Sequence, residues 1–301
     1  MNSHRTFSRR TLVSLAGASA FSLKPVLLGS DAEPQRSVAI TIDDGPASGA
    51  GDDLNSFQTI SAALRQIFLD ESVPVTMFVN ERQLHVSGQR DARIKVVEDW
   101  IAAGLDLGNH TFSHRRLRGA ALDEFFDDVI KGEVVSRQLL SAQRKPLRWF
   151  RYPYLSSDEG KRAAAVEEFL TQRDYAIAPV TVDYKDYSFA SNYQRFLRAG
   201  DTQQAEELLA SVLRAVDNAF EYSETKSNEL LGYELPQVLL IHCNQMNALT
   251  LNKAIEVIRN RGYRFVSLDQ AMQDPAYRTP GLPPGSLGGG FFSGLQQALA
   301  S

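Results

Sequence analysis

Val38, Ile40 and Ile42 interleave with Ala39 and Thr41 near the start of the chain. A period of two predicts a strand, and it ends at Asp43. Leu54, Phe57, Ile60, Leu64, Ile67 and Phe68 then recur at helical spacing and predict a helix over 54–69. Val75 to Val79 reads as a second strand. Ile94, Val97, Trp100 and Ile101 mark a helix that Gly104 stops. A short strand, Leu105 to Leu107, follows. The pattern then predicts a helix over 122–141, a strand entering Arg151, a helix over about 159–171 and strand-like residues from Tyr175 to Val182. Val238 to Ile241 is a buried strand, a helix covers about 250–261, and Arg264–Val266 closes the series. Alternating strands and helices predict an α/β fold with a parallel sheet. In a (β/α) barrel the active site lies at the C-terminal ends of the strands.

Two segments break the rhythm. Residues 188–236 form a long insertion whose Leu208, Leu209, Val212, Leu213, Val216 and Phe220 make an apolar helical stripe. Such a stripe packs on the barrel or caps a substrate cleft. The tail over 280–301 opens with a Pro/Gly-rich run to Gly290, expected to be extended, and has an apolar end, Phe291–Leu299.

The chemistry-bearing residues all fall just after predicted strands. Thr41-Ile42-Asp43-Asp44-Gly45-Pro46 closes the first, and His110-Thr111-Phe112-Ser113-His114 follows the third. An aspartate with two histidines four apart can form a metal site with an open coordination position. The second carboxylate is then left free to act as a base. Arg151-Tyr152-Pro153-Tyr154 offers a planar, permanently charged fork that can hold a carboxylate such as Asp43. Leu240-Ile241-His242 ends a strand on a histidine, which titrates in the range a general acid needs. His85 has no such neighbours and reads as a loop residue. Cys243 points away from His242 in an extended strand and reads as a small buried residue.

Charge narrows the partners. The chain carries 32 basic and 36 acidic residues, formally −4. Residues 1–32 hold Arg5, Arg9, Arg10 and Lys24 against Asp31 alone, so the remainder is more acidic still. That balance argues against sequence-independent nucleic-acid binding. The single cysteine excludes an intrachain disulfide. Ser8-Arg9-Arg10-Thr11-Leu12-Val13 and the weakly apolar run to Leu23 resemble a twin-arginine signal, with cleavage expected after Ala32. The expectation is export to the periplasm or extracellular space, with no stable membrane span after cleavage. The domain over 33–279 would then be the working unit. The sequence sets no oligomeric state.

Together these motifs resemble the polysaccharide deacetylase family, with its NodB-type catalytic domain (carbohydrate esterase family 4), over about residues 37–270. The resemblance implies a distorted (β/α) TIM-like barrel. It implies a metal-dependent hydrolase that removes N-acetyl groups from an envelope or extracellular glycan and releases acetate. It makes Asp43 the general base and Asp44, His110 and His114 the metal ligands. Two imidazoles favour Zn2+, with Co2+ or Ni2+ as similar candidates. His242 becomes the general acid and Leu240 lines the acetyl pocket. The Tyr154 N–H, beside Pro153, helps bind the oxyanion. Asp183-Tyr184-Lys185-Asp186-Tyr187 is matched to a further motif, in which Asp186 holds Arg151, although Asp183 also fits that role. Tyr187 stands where many relatives have Trp, at a wall beside the acetyl methyl. Ile42, where phenylalanine is common, should pack in the barrel. Rival readings are a glycan O-acetyl esterase, a small-amide hydrolase on the same fold, and a catalytically silent glycan-binding domain.

Overall fold

A computed structural model describes residues 36–301. The twin-arginine-like segment and its cleavage site lie outside them. Eight strands alternate with helices: β1 (Ser37–Gly45), α1 (Leu54–Asp70), β2 (Val75–Val79), α2 (Arg90–Ala102) and β3 (Asp106–Asn109). Then come α3 (Leu122–Lys131), α4 (Val134–Ala142), β4 (Trp149–Phe150), α5 (Gly160–Gln172), β5 (Ala176–Ile177) and β6 (Val182–Asp183). The chain ends with α6 (Asp186–Ala199), α7 (Thr202–Leu231), β7 (Gln237–His242), α8 (Gln245–Asn260), β8 (Arg264–Phe265), α9 (Leu268–Ala271) and α10 (Phe291–Ala300).

The strands pair in parallel in the order β5-β4-β3-β2-β1-β7-β6, with β8 on β1. This is the expected distorted (β/α) barrel. Its end strands, β5 and β6, are consecutive in sequence, so the short chain between them bridges the seam without a ladder. β1 is central and buried on both faces: Val38, Ala39, Ile40, Thr41 and Ile42 are each no more than 1% exposed. Ile42 is among them, as its apolar side chain requires. A strand covered on both sides reads as a near-continuous apolar run.

Three elements differ from the sequence pattern. The helix expected over 122–141 divides into α3 and α4 around Gly132. A Cβ there would fall on the backbone of Thr111 and Phe112, so the break lets the helix end press against the histidine loop. The strand-like run Tyr175–Val182 divides into β5 and β6. Pro179 sits between them and has no N–H to give a ladder. The Pro/Gly-rich run over 280–290 is built of turns and not extended, and the apolar end after it forms α10, with Phe291 and Leu295 buried beside Tyr277 and Leu268 in a second apolar cluster.

The long insertion resolves into two helices with different tasks. In α7, Val212, Val216 and Phe220 are fully buried against the body. Its stripe is therefore core, held at the N-terminus by Asp201, whose side chain accepts from Gln204 N. In α6, by contrast, Tyr187, Ser191, Gln194 and Arg198 line a cleft.

Candidate active site

β1 brings Thr41 and Asp43 to one side, as alternate residues of a strand must be. Both meet the same guanidinium. Arg151 Nη1 donates to Thr41 Oγ1 at 2.6 Å and to Asp43 Oδ1 at 3.0 Å. Arg151 is fully buried. Its remaining donors reach the carbonyls of Pro179 (2.9 Å) and Ala178 (3.4 Å), which the interruption between β5 and β6 leaves available. Breaking a buried pair of this kind costs about 3–5 kcal/mol, because it strands a charge away from water.

Asp44 lies at an irregularity near the end of β1. Its φ of 58° turns the next carboxylate out of the alternation. Asp44 Oδ1 lies 3.4 Å from His114 Nε2 and 3.7 Å from His110 Nε2. One ligand atom from each of the three residues lies within 4.8 Å of the others. Asp43 Oδ2 is also close to His110 Nε2, at 3.6 Å, so both carboxylates converge on one imidazole.

The donor set fits a divalent cation of the zinc type. His110 Nδ1 lies 2.9 Å from the carbonyl oxygen of Arg151. A carbonyl can only accept, so Nδ1 carries the proton and Nε2 presents its lone pair toward Asp44. Burial keeps this imidazole neutral and pushes its pKa down to about 3, against the opposing pull of Asp44. A neutral imidazole is the form that binds a metal.

The loop that carries the two histidines is strained and braced. Thr111 and His114 have φ of 64° and 59°. Each non-glycine residue in this region costs on the order of 1–3 kcal/mol. Asn109 Oδ1 accepts from Thr111 N at 2.7 Å, and Asn80 Nδ2 donates to the His110 carbonyl at 2.6 Å. From α3, Asp128 accepts from Ser113 N and Oγ at 3.0 and 2.9 Å.

His242 ends β7, directly beside Asp43 in register. Its Nδ1 lies 2.6 Å from Asp186 Oδ1, and its backbone N–H donates to Asp186 Oδ2 at 2.7 Å. Asn247 Nδ2 and Asn244 Nδ2 donate to the same Oδ2 at 2.5 and 3.3 Å. Burial disfavours the His242 cation, but the Asp186 carboxylate outweighs it and pushes the pKa up to about 10. Burial likewise opposes the charge on Asp186, yet His242 and the converging donors hold it below its ordinary value. For Asp43 the balance falls the other way: burial raises it, although Arg151 and His242 work against the shift.

The expected Asp186–Arg151 pair does not form. Asp186 caps the His242 imidazole, and Arg151 takes Asp43. Asp183, the other candidate, accepts from Lys185 N and Nζ at 2.8 and 2.5 Å. The reason is placement: Asp186 opens α6 alongside β7, whereas Arg151 follows β4.

These groups share a cleft of about 850 Å³, lined by Asp43, Asp44, His110, His114, Leu240 and His242. Tyr154 and Tyr187 stand on its rim, 57% and 53% exposed. The Tyr187 ring meets His242 edge-on at 6.0 Å, and Tyr154 lies over His114 at 4.3 Å. Tyr154 has φ 59°, and its neighbour Pro153 is buried. Leu240 is 3% exposed, an apolar wall. His85 stays outside the cleft, against Phe112 at 5.5 Å. Cys243 is buried, its Sγ 3.0 Å from the Pro46 carbonyl.

Sequence reasoning missed Asn80, Asn109, Asp128, Asn244 and Asn247. Asn80 and Asn109 each stand at a strand end, the position that marked the other site residues. Asn244 just precedes α8 and accepts from Asn247 N at 2.9 Å, a capping signal readable in advance.

The family model for polysaccharide deacetylase matches residues 30–171. The peptidoglycan-N-acetylglucosamine deacetylase of Bacillus cereus is 25% identical over 243 residues, which covers 78% of this chain and 68% of that protein. Among solved structures, the chitin deacetylase of the fungal pathogen Colletotrichum lindemuthianum aligns with a TM-score of 0.53 at 21% identity. That alignment covers 79% of this chain and 87% of the other. A CE4 family pseudoenzyme from Bacillus anthracis aligns at 0.54 with 16% identity, over 79% and 66% of the two chains. At such identities the structural likeness bears on the fold alone.

Proposed function

We propose, from the premise that this chain carries a domain of the polysaccharide deacetylase family, that it is a metal-dependent hydrolase removing N-acetyl groups from an envelope or extracellular polysaccharide. The observation that carries this reading is one convergence. Asp44 Oδ1 and the Nε2 atoms of His110 and His114 face one another in the cleft that also holds Asp43 and His242.

Asp44, His110 and His114 would hold the cation, Zn2+ by the softness of two imidazoles, with Co2+ and Ni2+ as alternatives. When bound, such an ion supplies a Lewis acid and lowers the pKa of coordinated water. The chain's own residues do the rest. Asp43, oriented by Arg151 and raised by burial, accepts the proton of the attacking water. The Tyr154 N–H, beside Pro153, donates to the developing oxyanion. His242 enters charged and gives its proton to the departing amine. Asp186 holds that imidazole in place through Nδ1, so Nε2 is the atom that donates. Leu240 and Tyr187 flank the acetyl methyl and exclude water from it.

An amine is a poor leaving group and needs an acid that stays protonated through neutrality. A histidine pushed up to about 10 suits amide cleavage better than ester cleavage. Export through residues 1–32 belongs to the same reading, since an N-acetylated glycan of the envelope is the substrate it requires.

The test is acetate release from chitooligosaccharides and peptidoglycan fragments, with bound metal quantified. Wild type should release acetate in proportion to its zinc content. His110→Ala should lose metal and activity together, and Asp43→Asn should keep metal and lose activity. A zinc-loaded wild type that releases nothing from any N-acetyl glycan would overturn the reading in favour of an ester substrate or a silent binding domain.

A further inference from the structure

The short helical turn Glu81–Leu84, which follows β2, carries no candidate ligand, yet it touches both halves of the metal site. On one side, the Arg82 N–H donates to the Phe112 carbonyl at 3.0 Å, and Asn80 Nδ2 donates to the His110 carbonyl at 2.6 Å. On the other side, Gln83 Nε2 lies 3.1 Å from the Asp44 carbonyl oxygen and 3.2 Å from that of Gly45. Carbonyls can only accept, so the amide presents its N–H groups to both. The turn itself is pinned by Glu81, which is fully buried. Its carboxylate accepts from Val135 N and Ser136 N, the free N–H groups that open α4, at 2.9 and 2.7 Å.

Behind the turn stands Arg93 of α2, 1% exposed. A buried guanidinium keeps its charge and normally meets a carboxylate. Arg93 meets neutral oxygens instead. Its Nη1 donates to the Gln83 carbonyl at 2.9 Å, its Nη2 to the Gly51 carbonyl at 2.8 Å and its Nε to Gln89 Oε1 at 2.9 Å. Gln89 Nε2 in turn donates to the Asp52 carbonyl at 2.9 Å. The guanidinium also lies 4.2 Å from the Phe57 ring of α1. One side chain thus fastens both ends of the connection from β1 to α1: residues 44 and 45 through Gln83, and residues 51 and 52 directly and through Gln89. Between these ends Ser48, Gly49 and Ala50 line the cleft, whereas neither Gln83 nor Arg93 does.

We infer that Gln83 and Arg93 are positioning residues for the proposed metal site: Gln83 holds Asp44 against the two histidines, and Arg93 holds Gln83 together with the cleft wall at Ser48, Gly49 and Ala50. The inference rests on the reading of Asp44 as a ligand. Asp44 lies where β1 loses its register with β2, at φ 58°. A non-glycine residue relaxes from that region toward extended backbone unless its surroundings hold it. Once extended, its carboxylate would rejoin the alternation of the strand and leave His110 and His114. The Gln83 amide grips the carbonyl of Asp44 and that of the next residue, and so opposes this relaxation.

Two metal readouts on the full chain test this. Zinc affinity is measured by chelator competition on the metal-free protein, and the visible absorption of the Co2+-loaded protein reports the geometry of its ligands. Gln83→Met keeps the length of the side chain and loses the donor. Its zinc affinity should fall about tenfold, the scale of groups that orient metal ligands, and its Co2+ absorption should change at full loading. Arg93→Met should do both and, with zinc saturating, should also raise KM for chitooligosaccharides, because the cleft wall is released as well. Arg90→Met, exposed on the same helix, should match wild type; an equal loss there overturns the inference. A role confined to stability would lower the urea midpoints of the Gln83 and Arg93 variants while leaving zinc affinity and the Co2+ spectrum of the folded protein unmoved. That result overturns the inference too, and Gln83→Met alone decides if Arg93→Met does not fold. A wild type that binds neither ion removes Asp44 as a ligand, and the positioning role with it.

Discussion

His242 and Asp186 form a pair in which one carboxylate oxygen takes the imidazole Nδ1 at 2.6 Å and the other takes the histidine's own backbone N–H at 2.7 Å. Asp186 therefore fixes both the ring and the strand end that carries it. The pair predicts a pH dependence whose sign can be worked out. A histidine raised to about 10 contributes stability that is fully present below its unfolded value of about 6.5 and is lost as pH rises through about 10. A carboxylate held low contributes stability above its unfolded value of about 3.9, which is lost as pH falls through the lowered pKa. The stability gap between wild type and Asp186→Asn, read from urea midpoints, should be widest between about pH 4 and 6.5 and close on both sides. In the same variant the alkaline limb of kcat should move from near 10 toward neutrality. An unmoved limb would refute the assignment of His242 as the acid.

Arg151→Ala should destabilise the fold by about 3–5 kcal/mol, because Asp43 would be left buried without its partner. Arg151→Lys should recover only part of this. A single ammonium cannot meet Thr41, Asp43 and the two carbonyls with the geometry of the planar fork. Chemical denaturation of both variants beside wild type gives the comparison.

Gly132→Ala tests the join between α3 and the histidine loop. Gly132 has an ordinary φ of −81°, so any effect comes from contact and not from backbone strain. The added methyl must displace Thr111 and Phe112, at a cost of about 1–3 kcal/mol. Zinc affinity, measured by competition with a chromophoric chelator, should fall with it. Unchanged affinity would mean that the loop absorbs the shift before it reaches His110.

Metal removal should lower the melting temperature, since a ligand that binds only the folded state stabilises it by mass action. The gain is about 2.7 kcal/mol at a hundredfold excess over Kd. Adding zinc after chelation should restore the transition in wild type but not in His114→Ala. Asp43→Asn should respond like wild type if Asp43 is the base, and weakly if it ligates the ion. Its 3.6 Å approach to His110 makes this control necessary.

The strands were legible because β1, β2 and β7 are short apolar runs with no competing helical period. The convergence of the candidate residues was legible because Asp43, Asp44, His110, Arg151 and His242 stand at or next to strand ends, with His114 in the loop after β3. Partners were harder to read than positions. The match that paired Asp186 with Arg151 carried no information about which strand end each would face. α6 sets Asp186 against β7, and β1 sets Asp43 against Arg151. The break at Gly132 was hidden for a related reason: the apolar spacing of 122–141 continues through it, and only the approach of a distant loop interrupts the helix. In the 188–236 insertion the periodic stripe pointed correctly to burial of α7. The pattern of α6 gave no sign that Tyr187, Ser191, Gln194 and Arg198 would form a wall of the cleft.

The barrel's two end strands meet through a bridge whose carbonyls, at Ala178 and Pro179, grip the guanidinium that also grips Asp43. The gap in the ladder is thus fastened by the same side chain that holds Asp43, the carboxylate proposed as the base. Any sequence change that widens this gap should register as altered basicity in the cleft before it registers as a lost fold. The closure of the sheet and the environment of that carboxylate cannot be varied separately.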